Sequence, residues 1–255
     1  MSACAFLHMA LAIPDGALPQ KYPVAQRTVS PEAQMWQRLQ SYHARKIGRQ
    51  GMTILDVGAN RGEWTRAALK IWPQASIIML EANPALAGVL DRVAKEVRAR
   101  GGRAEARIAV LGDDERNVTM HESSTKFMRD TGNSLFRQKT KSSLYQPVQR
   151  RMRMLDNVLA ELPVPPPASV ELLKLDVQGA ETLVLQGAER TLRGARFLLL
   201  EMSLTVFNEG APLFADVVAF LAQRGFVLVE VLAQHYSSTG EATQVDGLFK
   251  SKWPS

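Results

Sequence analysis

Residues 52–62 read MTILDVGANRG, a short apolar strand that runs directly into a turn containing two glycines. Gly58 and Gly62 permit backbone conformations and a close approach that a Cβ atom would obstruct. A helix beginning after Gly62 would offer unpaired N–H groups to a carboxylate or phosphate. Asn60 replaces the middle glycine of the dinucleotide-binding pattern, so the turn does not match that fingerprint. A ligand-binding turn and a purely structural turn are both open at this point.

The chain beyond this turn alternates between strands and helices. The first half is predicted to contain strands at Met52–Val57, Ser76–Glu81 and Ala104–Leu111, with helices at Glu63–Trp72 and Pro84–Arg100. The second half is predicted to contain strands at Val170–Leu175, Phe197–Glu201, Phe226–Leu232 and Gln244–Lys250, with helices at Glu181–Leu192 and Pro212–Arg224. This order predicts an α/β fold with a parallel sheet and right-handed crossovers. The last two strands are joined by a loop alone, which suggests an antiparallel pair at the edge.

The remaining segments predict appendages to one domain. Residues 1–48 are interpreted as an N-terminal extension with a helix from Pro31, and residues 49–255 as a single domain. Strands are predicted at Asn117–His121 and Gln149–Met154, around a long polar loop at Ser123–Tyr145. Loops of that length are usually functional lids or disordered segments. Residues 163–167, PVPPP, predict a stiff connector.

Composition restricts the class of partner. The net charge is +6, but the basic residues between Arg137 and Arg153 have few aromatic residues among them. Nucleic acid is therefore not expected as a partner, since such grooves usually add stacking aromatics to their charge. One cysteine excludes an intrachain disulfide and fits the cytoplasm, the predicted location. No apolar run is long enough for a membrane helix, and homo-oligomer formation is left open.

Three acids follow predicted strands at the point where each strand ends. They are Glu81, Asp176 and Glu201. Because the carboxyl ends of parallel strands meet at one edge of the sheet, these acids should converge there. Glu81 could accept both ribose hydroxyls of an adenosine ligand. Together the acids suit a positively charged ligand, and they could also hold a hard metal ion.

Lys174 lies within a predicted central strand. A buried lysine is costly unless it is paired, so Asp176 or Glu201 is its predicted partner. Lys174 and Asp176 share a face because strand side chains alternate with period two. A structural ion pair and a functional one are both open here.

These motifs together resemble the FkbM-type methyltransferases. The matching stretches are DVGANRG at 56–62, EANP at 81–84, GNSL at 132–135, Leu155-Asp156, LKLDVQGAE at 173–181 and QVDGLF at 244–249. Their order and spacing carry the resemblance, which covers roughly residues 50–250. One departure is visible, since the family often has Glu where this chain has Gln178.

The resemblance implies a Rossmann-like class I methyltransferase fold that binds S-adenosylmethionine. Its sheet has seven strands, helices on both faces and one antiparallel strand near the edge. The implied cofactor contacts are Asp56, Gly58, Asn60 and Gly62 at the methionine part, Glu81 and Asn83 at the ribose, Ala109 and Asp113 at the adenine, Ser134 closing over the site, and Asp176 beside the methyl group.

Methyl transfer to a hydroxyl also requires removal of a proton. The candidate catalytic residues are Asp176, Glu201 and Lys174, with His121 and His235 as weaker candidate bases. The leading hypothesis is O-methylation of a small-molecule, sugar or glycolipid hydroxyl. Alternatives are N- or RNA methylation, an NAD-dependent enzyme and a non-catalytic cofactor-binding module. A divalent metal is left open, with nothing specific to indicate it.

Overall fold

The computed structural model describes residues 30–45, 52–123, 132–139, 142–163 and 169–253. Over these residues the chain forms seven α-helices and ten strands. The helices are α1 (Pro31–Arg45), α2 (Glu63–Ile71), α3 (Ala87–Ala99), α4 (Leu155–Ala160), α5 (Glu181–Gln186), α6 (Glu189–Gly194) and α7 (Phe214–Gln223). The strands are β1 (Thr53–Val57), β2 (Ser76–Glu81), β3 (Arg103–Ile108), β4 (Val110–Leu111), β5 (Asn117–Ser123), β6 (Tyr145–Arg153), β7 (Val170–Leu175), β8 (Ala195–Ser203), β9 (Phe226–Tyr236) and β10 (Ala242–Ser251).

Seven of the strands form one mostly parallel sheet. Their order is β3-β2-β1-β7-β8-β10-β9, and β10 runs antiparallel to both of its neighbours. The reversal of strand order lies between β1 and β7, where ligands bind in open α/β sheets. The predicted α/β fold, with one antiparallel strand near the edge, is confirmed.

Helices cover both faces of this sheet, so its central strands are mostly apolar, and their charged residues Asp56, Glu171 and Lys174 are buried in ion pairs. Ile54 of β1 packs on the face covered by α1, α2 and α3, whereas Leu55 and Val57 pack on the face covered by α4 to α7. This alternation follows from the period of two along a strand. Strands that are buried on both faces read as continuous apolar runs, which is what the sequence contains.

A smaller three-stranded sheet stands beside the main one and corrects one predicted strand. Its order is β4-β6-β5. The strand predicted over Ala104–Leu111 is two strands, because the N–H of Ala109 donates to the carbonyl of Glu81 at 2.8 Å and ends the pairing with β2. Val110 then pairs with Met152 of β6.

The helix predicted over Glu181–Leu192 is also two helices, α5 and α6. Asp156 supplies the physical reason, because its carboxylate accepts hydrogen bonds from the N–H groups of Arg190 (2.7 Å) and Thr191 (2.9 Å). It thereby satisfies unpaired donors in the first turn of α6. Asp156 itself lies in α4, a helix that the sequence analysis missed.

Helix α1 packs against the main sheet through Met35 and Leu39. Arg38 adds a hydrogen bond of 2.8 Å from its Nη1 to the carbonyl of Val231 in β9. The rest of the predicted extension, its boundary at residues 48–49, most of the proline connector and part of the polar loop lie outside the described residues. None of the described helices combines the length and the apolar character needed to cross a bilayer.

Candidate active site

The turn after β1 is closed by a contact between two neighbouring strand ends. Gly58 has φ 74°, in the left-handed region, and a Cβ built on it would overlap the carbonyl oxygen of Asp176. Its N–H also donates to the carbonyl of Leu80 at 2.9 Å, which ties the turn to β2. Only glycine can adopt this left-handed conformation and approach the carbonyl of Asp176 so closely without strain. The close approach predicted from the sequence is therefore a contact with the backbone that follows β7.

Asn60 occupies the same turn in a left-handed conformation, with φ 47°. Its N–H donates to Oε2 of Glu81 at 2.8 Å. Its side-chain oxygen Oδ1 is buried and accepts no hydrogen bond from the part of the chain that is described. A buried acceptor without a donor is costly. This oxygen is thus available to a ligand that carries a donor.

Glu81 ends β2 with its carboxylate held by two backbone donors. Oε1 accepts from the N–H of Asn83 at 2.9 Å, and Oε2 accepts from the N–H of Asn60. Burial raises the pKa of Glu81, although the donors on Asn83 and Asn60 act in the opposite direction. A carboxylate offers about four lone-pair positions, so two are left for hydroxyl groups of a ligand.

A first cavity of about 770 Å³, counting the open space at its mouth, lies over these strand ends. Six of the residues predicted to bind a cofactor line it, namely Gly58, Asn60, Glu81, Ala109, Ser134 and Asp176. Apolar side chains complete the wall, namely Val57, Leu80, Ala82, Val110, Leu111, Met120, Leu135, Val177 and Ala180. Gly132, Asn133 and Gln178 also line it. The cavity therefore combines fixed polar groups with apolar surface, as small-molecule sites do.

Four other residues predicted to contact a cofactor do not line this cavity. Asn83 caps a short 3₁₀ turn by accepting from the N–H of Ala85 at 3.0 Å. Asp113 forms an ion pair of 2.9 Å with Arg116. Gly62 begins α2 with φ 73°. For these three, direct contact with a ligand stays a prediction.

Asp56 is the fourth of these residues, and it is fully buried beneath the turn. Its Oδ2 accepts a hydrogen bond of 2.6 Å from Oγ1 of Thr65 in α2. Its other oxygen faces Lys174 at 3.1 Å. Asp56 therefore joins α2 and β7 from behind the cavity wall.

The partner predicted for Lys174 is corrected by this ion pair. Its nearest carboxylate is Asp56 rather than Asp176, which lies 3.9 Å away, or Glu201. The reason is strand register, because Asp56 and Lys174 are directly paired across β1 and β7. The ammonium also donates to the carbonyl of Gly58 at 2.8 Å. Burial opposes the charged form, but Asp56 and Asp176 outweigh it and raise the pKa of Lys174.

Gln178 joins the two candidate catalytic acids. Its Nε2 donates to Oδ1 of Asp176 at 3.0 Å and to Oε2 of Glu201 at 3.3 Å. The backbone carbonyl of Gln178 accepts from Oγ of Ser134 at 2.8 Å and from Nδ2 of Asn208 at 2.7 Å. An ionised Glu at this position would have no donor for either acid. The departure from the family pattern therefore has a structural consequence, and Asn208 is a contact that sequence reasoning missed.

Ser134 brings part of the predicted polar loop across the first cavity. It is buried, and its backbone exchanges hydrogen bonds of 2.8 and 3.1 Å with His121 of β5. Its hydroxyl is already committed to Gln178. Ser134 thus fixes the position of this segment over the cavity.

Glu181 supports the loop that carries Asp176 and was not singled out from the sequence. Its Oε1 accepts from the N–H groups of Val177 and Gly179, both at 3.2 Å. Burial raises the pKa of Glu181 to about 7. The acid acts as an internal support for the turn at 177–179.

A second cavity, of about 900 Å³ by the same measure, adjoins the first. Gly58, Asn60 and Asp176 line both cavities. The other residues around the second are Glu32, Met35, Ala59, Arg61, Glu63, Trp64, Lys174, Leu175, Leu199, Glu201, His235 and Asp246. Of these, Asp246 belongs to the QVDGLF stretch at 244–249, in which the sequence analysis gave it no role.

Glu201, His235 and Asp246 converge in this second cavity. Nε2 of His235 lies 3.1 Å from Oδ2 of Asp246 and 3.9 Å from Oε1 of Glu201. The hydrogen bond to Asp246 raises the pKa of His235, and burial together with Asp176 and Asp246 raises that of Glu201 well above its usual range. Three such ligand atoms within 4.8 Å of one another could hold a metal ion. A protonated histidine between the acids would satisfy the same geometry.

Known proteins that are similar to this chain are methyltransferases. Residues 56–228 match the family model described as the methyltransferase FkbM domain. The chain is 30% identical over 169 residues to the 2-O-methyltransferase NoeI of Sinorhizobium fredii, a match that spans 62% of this chain and 65% of that relative.

Two solved structures are similar at low identity. The methyltransferase FkbM of Methylobacillus flagellatus aligns with a TM-score of 0.48 and 13% identity, over 80% of this chain and 46% of that one. Magnesium protoporphyrin IX methyltransferase of Synechocystis aligns with a TM-score of 0.47 and 14% identity, over 86% of this chain and 79% of that one.

Because the family model covers more than half of the sequence, the chain belongs to the FkbM methyltransferase family.

Proposed function

We propose that this protein transfers a methyl group from S-adenosylmethionine to a hydroxyl group of a small molecule. One observation carries the proposal. The glycine turn at Gly58 and the doubly held carboxylate of Glu81 line the same cavity, at the point where strand order reverses. Membership of the FkbM family supports methyl transfer as the reaction.

The residues of the first cavity fit the chemistry of that cofactor. The unpaired Oδ1 of Asn60 could accept from the ammonium of the methionine part. Gly58 packs against the carbonyl of Asp176, where a Cβ would overlap it, and so keeps the two strand ends together at the cavity. The free lone pairs of Glu81 suit a ribose diol. The apolar wall that includes Ala109 and Leu111 suits the adenine ring.

The reacting groups would meet where the two cavities join. When bound, the cofactor supplies an electrophilic methyl group on a sulfonium sulfur. Gly58, Asn60 and Asp176 border both cavities, so an acceptor in the second cavity would face that methyl group there. The chain's tasks are to hold the acceptor in line and to exclude water.

Two observations favour a hydroxyl on a small molecule as the acceptor. The curated relative is named a 2-O-methyltransferase. The second cavity contains acids and a histidine that could accept a hydroxyl proton.

The proposal is tested first by calorimetry with S-adenosylmethionine and with its demethylated product. Binding of both at a 1:1 ratio is expected. The folded protein is then incubated with ¹³C-methyl-labelled cofactor and a small-molecule extract of the source cells. The carbon chemical shift of the labelled product distinguishes an O-methyl from an N-methyl group. A folded protein that binds neither nucleoside would contradict the proposal, and an N-methyl product would contradict its hydroxyl acceptor.

A further inference from the structure

The second cavity contains a histidine–aspartate pair that the proposed function leaves without a role. His235 lies in β9 and Asp246 in β10, and they are joined by the 3.1 Å contact at Nε2. An aspartate that accepts from one ring nitrogen fixes the tautomer, so the lone pair lies on the other nitrogen. Within the described residues, only Nε2 has a side-chain partner, which leaves Nδ1 for a ligand.

A continuous series of polar contacts connects this pair to the first cavity. Asp176 accepts from Gln178 at 3.0 Å, and Gln178 donates to Glu201 at 3.3 Å. Glu201 in turn lies 3.9 Å from His235, which contacts Asp246. The series begins at a residue that borders both cavities and ends within the second. The series reaches His235 at Nε2, so these contacts position the ring, and Nδ1 is the nitrogen left to take a proton from the acceptor.

We propose that the second cavity binds the methyl acceptor and that His235, positioned by Asp246, removes the proton from its hydroxyl. This inference rests on the proposed function and extends it to named residues. The hydroxyl oxygen forms a bond to the methyl carbon while the sulfur–methyl bond breaks, and that electron pair stays on sulfur. The hydroxyl proton passes to Nδ1 of His235. The products are the methyl ether, the neutral thioether and a protonated histidine.

The charged groups around His235 support this assignment over the acids. Acidic side chains reach the cavity from α1 (Glu32), the start of α2 (Glu63), the end of β7 (Asp176), β8 (Glu201) and β10 (Asp246). Two cations, Arg61 and Lys174, also line it.

Because of the surrounding acids and its burial, Glu201 favours its protonated form, and a protonated acid cannot take another proton. The acids also stabilise the cation that His235 would become. The histidine is therefore the better base of the two.

The first experiment needs no acceptor. The imidazole signals of His235 and His121 are followed by NMR through a pH titration, without ligand, with S-adenosylmethionine and with the demethylated product. The sulfonium charge should lower the pKa of His235 if the two are neighbours, and the neutral product should lower it less. His121 lines neither cavity, so its pKa should change less than that of His235. An unchanged His235 signal would contradict the inference.

The second experiment compares His235→Gln and Asp246→Asn with the control Glu189→Gln, at an exposed acid that lines neither cavity. Transfer of labelled methyl to the small-molecule extract should fall about 100-fold or more in His235→Gln, the range of general base catalysis. Affinity for S-adenosylmethionine should stay within about twofold, since His235 lines only the second cavity. The control should match the wild type.

Asp246→Asn tests the positioning role through the pH dependence of the rate, which loss of a merely structural residue would leave unchanged. The pH–rate profile of the wild type should lose activity as pH falls through the pKa of His235. Loss of the aspartate lowers that pKa, so the acidic limb should move to lower pH while the maximum rate falls. An unmoved limb would contradict the positioning role.

Two results would overturn the inference. Full activity of His235→Gln would exclude the base. One equivalent of Mn²⁺ bound by the wild type but not by His235→Gln, with activity abolished by EDTA, would make the cluster a metal centre instead. A wild type that binds no S-adenosylmethionine would overturn the proposed function as well, and calorimetry detects this before any variant is made.

Discussion

The two cavities differ in how the sequence assembles them. The first takes most of its polar groups from three short stretches that follow strands, at 58–60, 81–82 and 176–178. The second draws on α1, the start of α2, β8, β9 and β10, which span the described chain from Glu32 to Asp246. The first cavity is therefore built from local motifs, whereas the second is built from strand register.

Strand register determines which charged side chains meet beneath the turn at Gly58 and in the second cavity. Asp56 faces Lys174 because β1 pairs with β7, and Asp246 faces Glu201 because β10 pairs with β8. The first pair lies beneath motifs that the sequence identifies. Of the second pair, only Glu201 was predicted, as an acid at the end of a strand. The lesson is that a binding turn can be found locally, while the groups opposite it require the strand order.

The largest effect is expected from Gly58→Ala. Its Cβ would overlap the carbonyl of Asp176, in a backbone conformation that already disfavours a side chain. Affinity for S-adenosylmethionine should fall at least about 100-fold, and the free energy of unfolding by about 3 kcal/mol or more. Calorimetry and urea unfolding measure the two changes.

Gly240→Ala is the matched control for this substitution. Gly240 also has a positive φ, 89°, but a Cβ there meets nothing within 4 Å. It should cost only about 1 kcal/mol, the strain of the backbone conformation, and leave affinity unchanged. Equal losses of affinity and stability in the two variants would show that the close approach at Gly58 has no special effect.

The sequence was sufficient for the central strands of the fold. Ser76–Glu81 and Val170–Leu175 have the bounds that were predicted, because both are short, mostly apolar segments that are buried on both faces of the sheet. The strand at Ala104–Leu111 was wrong because a second sheet takes its last residues. The helix at Glu181–Leu192 was wrong because a distant acid, Asp156, caps a new helix within it. Such tertiary contacts leave no local signal.

The same distinction applies to the candidate site. Gly58, Glu81 and Asp176 could be predicted because each follows an apolar strand and must therefore lie at one rim. His235 was weighed only as a weak base, since nothing near it in sequence reveals Asp246 as its neighbour. The Asp56 partner of Lys174 was missed for the same reason.

A change in pH dependence of stability is expected from Glu181→Gln, beneath the shared wall of both cavities. Burial raises the pKa of Glu181 to about 7 in the folded state, above its usual 4.5. The folded state thus favours the protonated acid, and this stabilisation is lost as pH rises from about 4.5 to about 7. Gln can still accept from Val177 and Gly179 without a charge. The variant should match the wild type near pH 4.5 and exceed it by about 3 kcal/mol at pH 8.

Urea unfolding between pH 4.5 and 8.5 checks this expectation. Glu189→Gln is the control, because Glu189 is exposed and lines neither cavity. Its stability curve should run parallel to that of the wild type. A parallel curve for Glu181→Gln as well would show that the buried acid carries no pH-dependent cost.

A smaller effect, confined to the first cavity, is expected from Glu81→Ala. The variant loses charge-assisted hydrogen bonds to the ribose hydroxyls, so the affinity for S-adenosylmethionine should weaken by about 1–3 kcal/mol. Glu189→Ala serves as the control for loss of an acid elsewhere on the chain. Unchanged affinity in Glu81→Ala, measured by calorimetry, would remove this carboxylate from the cofactor site.

The smallest effect is expected from Asp176→Asn, at the residue that both cavities share. Its oxygen can still accept from Gln178, but the charge that faces the acceptor hydroxyl is lost. Turnover should fall about tenfold while affinity for S-adenosylmethionine changes less than about threefold, because the interaction belongs mainly to the transition state. Asp91→Asn, on the exposed side of α3, should behave like the wild type. A variant that instead loses affinity for S-adenosylmethionine and keeps its turnover would assign Asp176 to cofactor binding alone. His235 and Asp246 would then act on the acceptor without it.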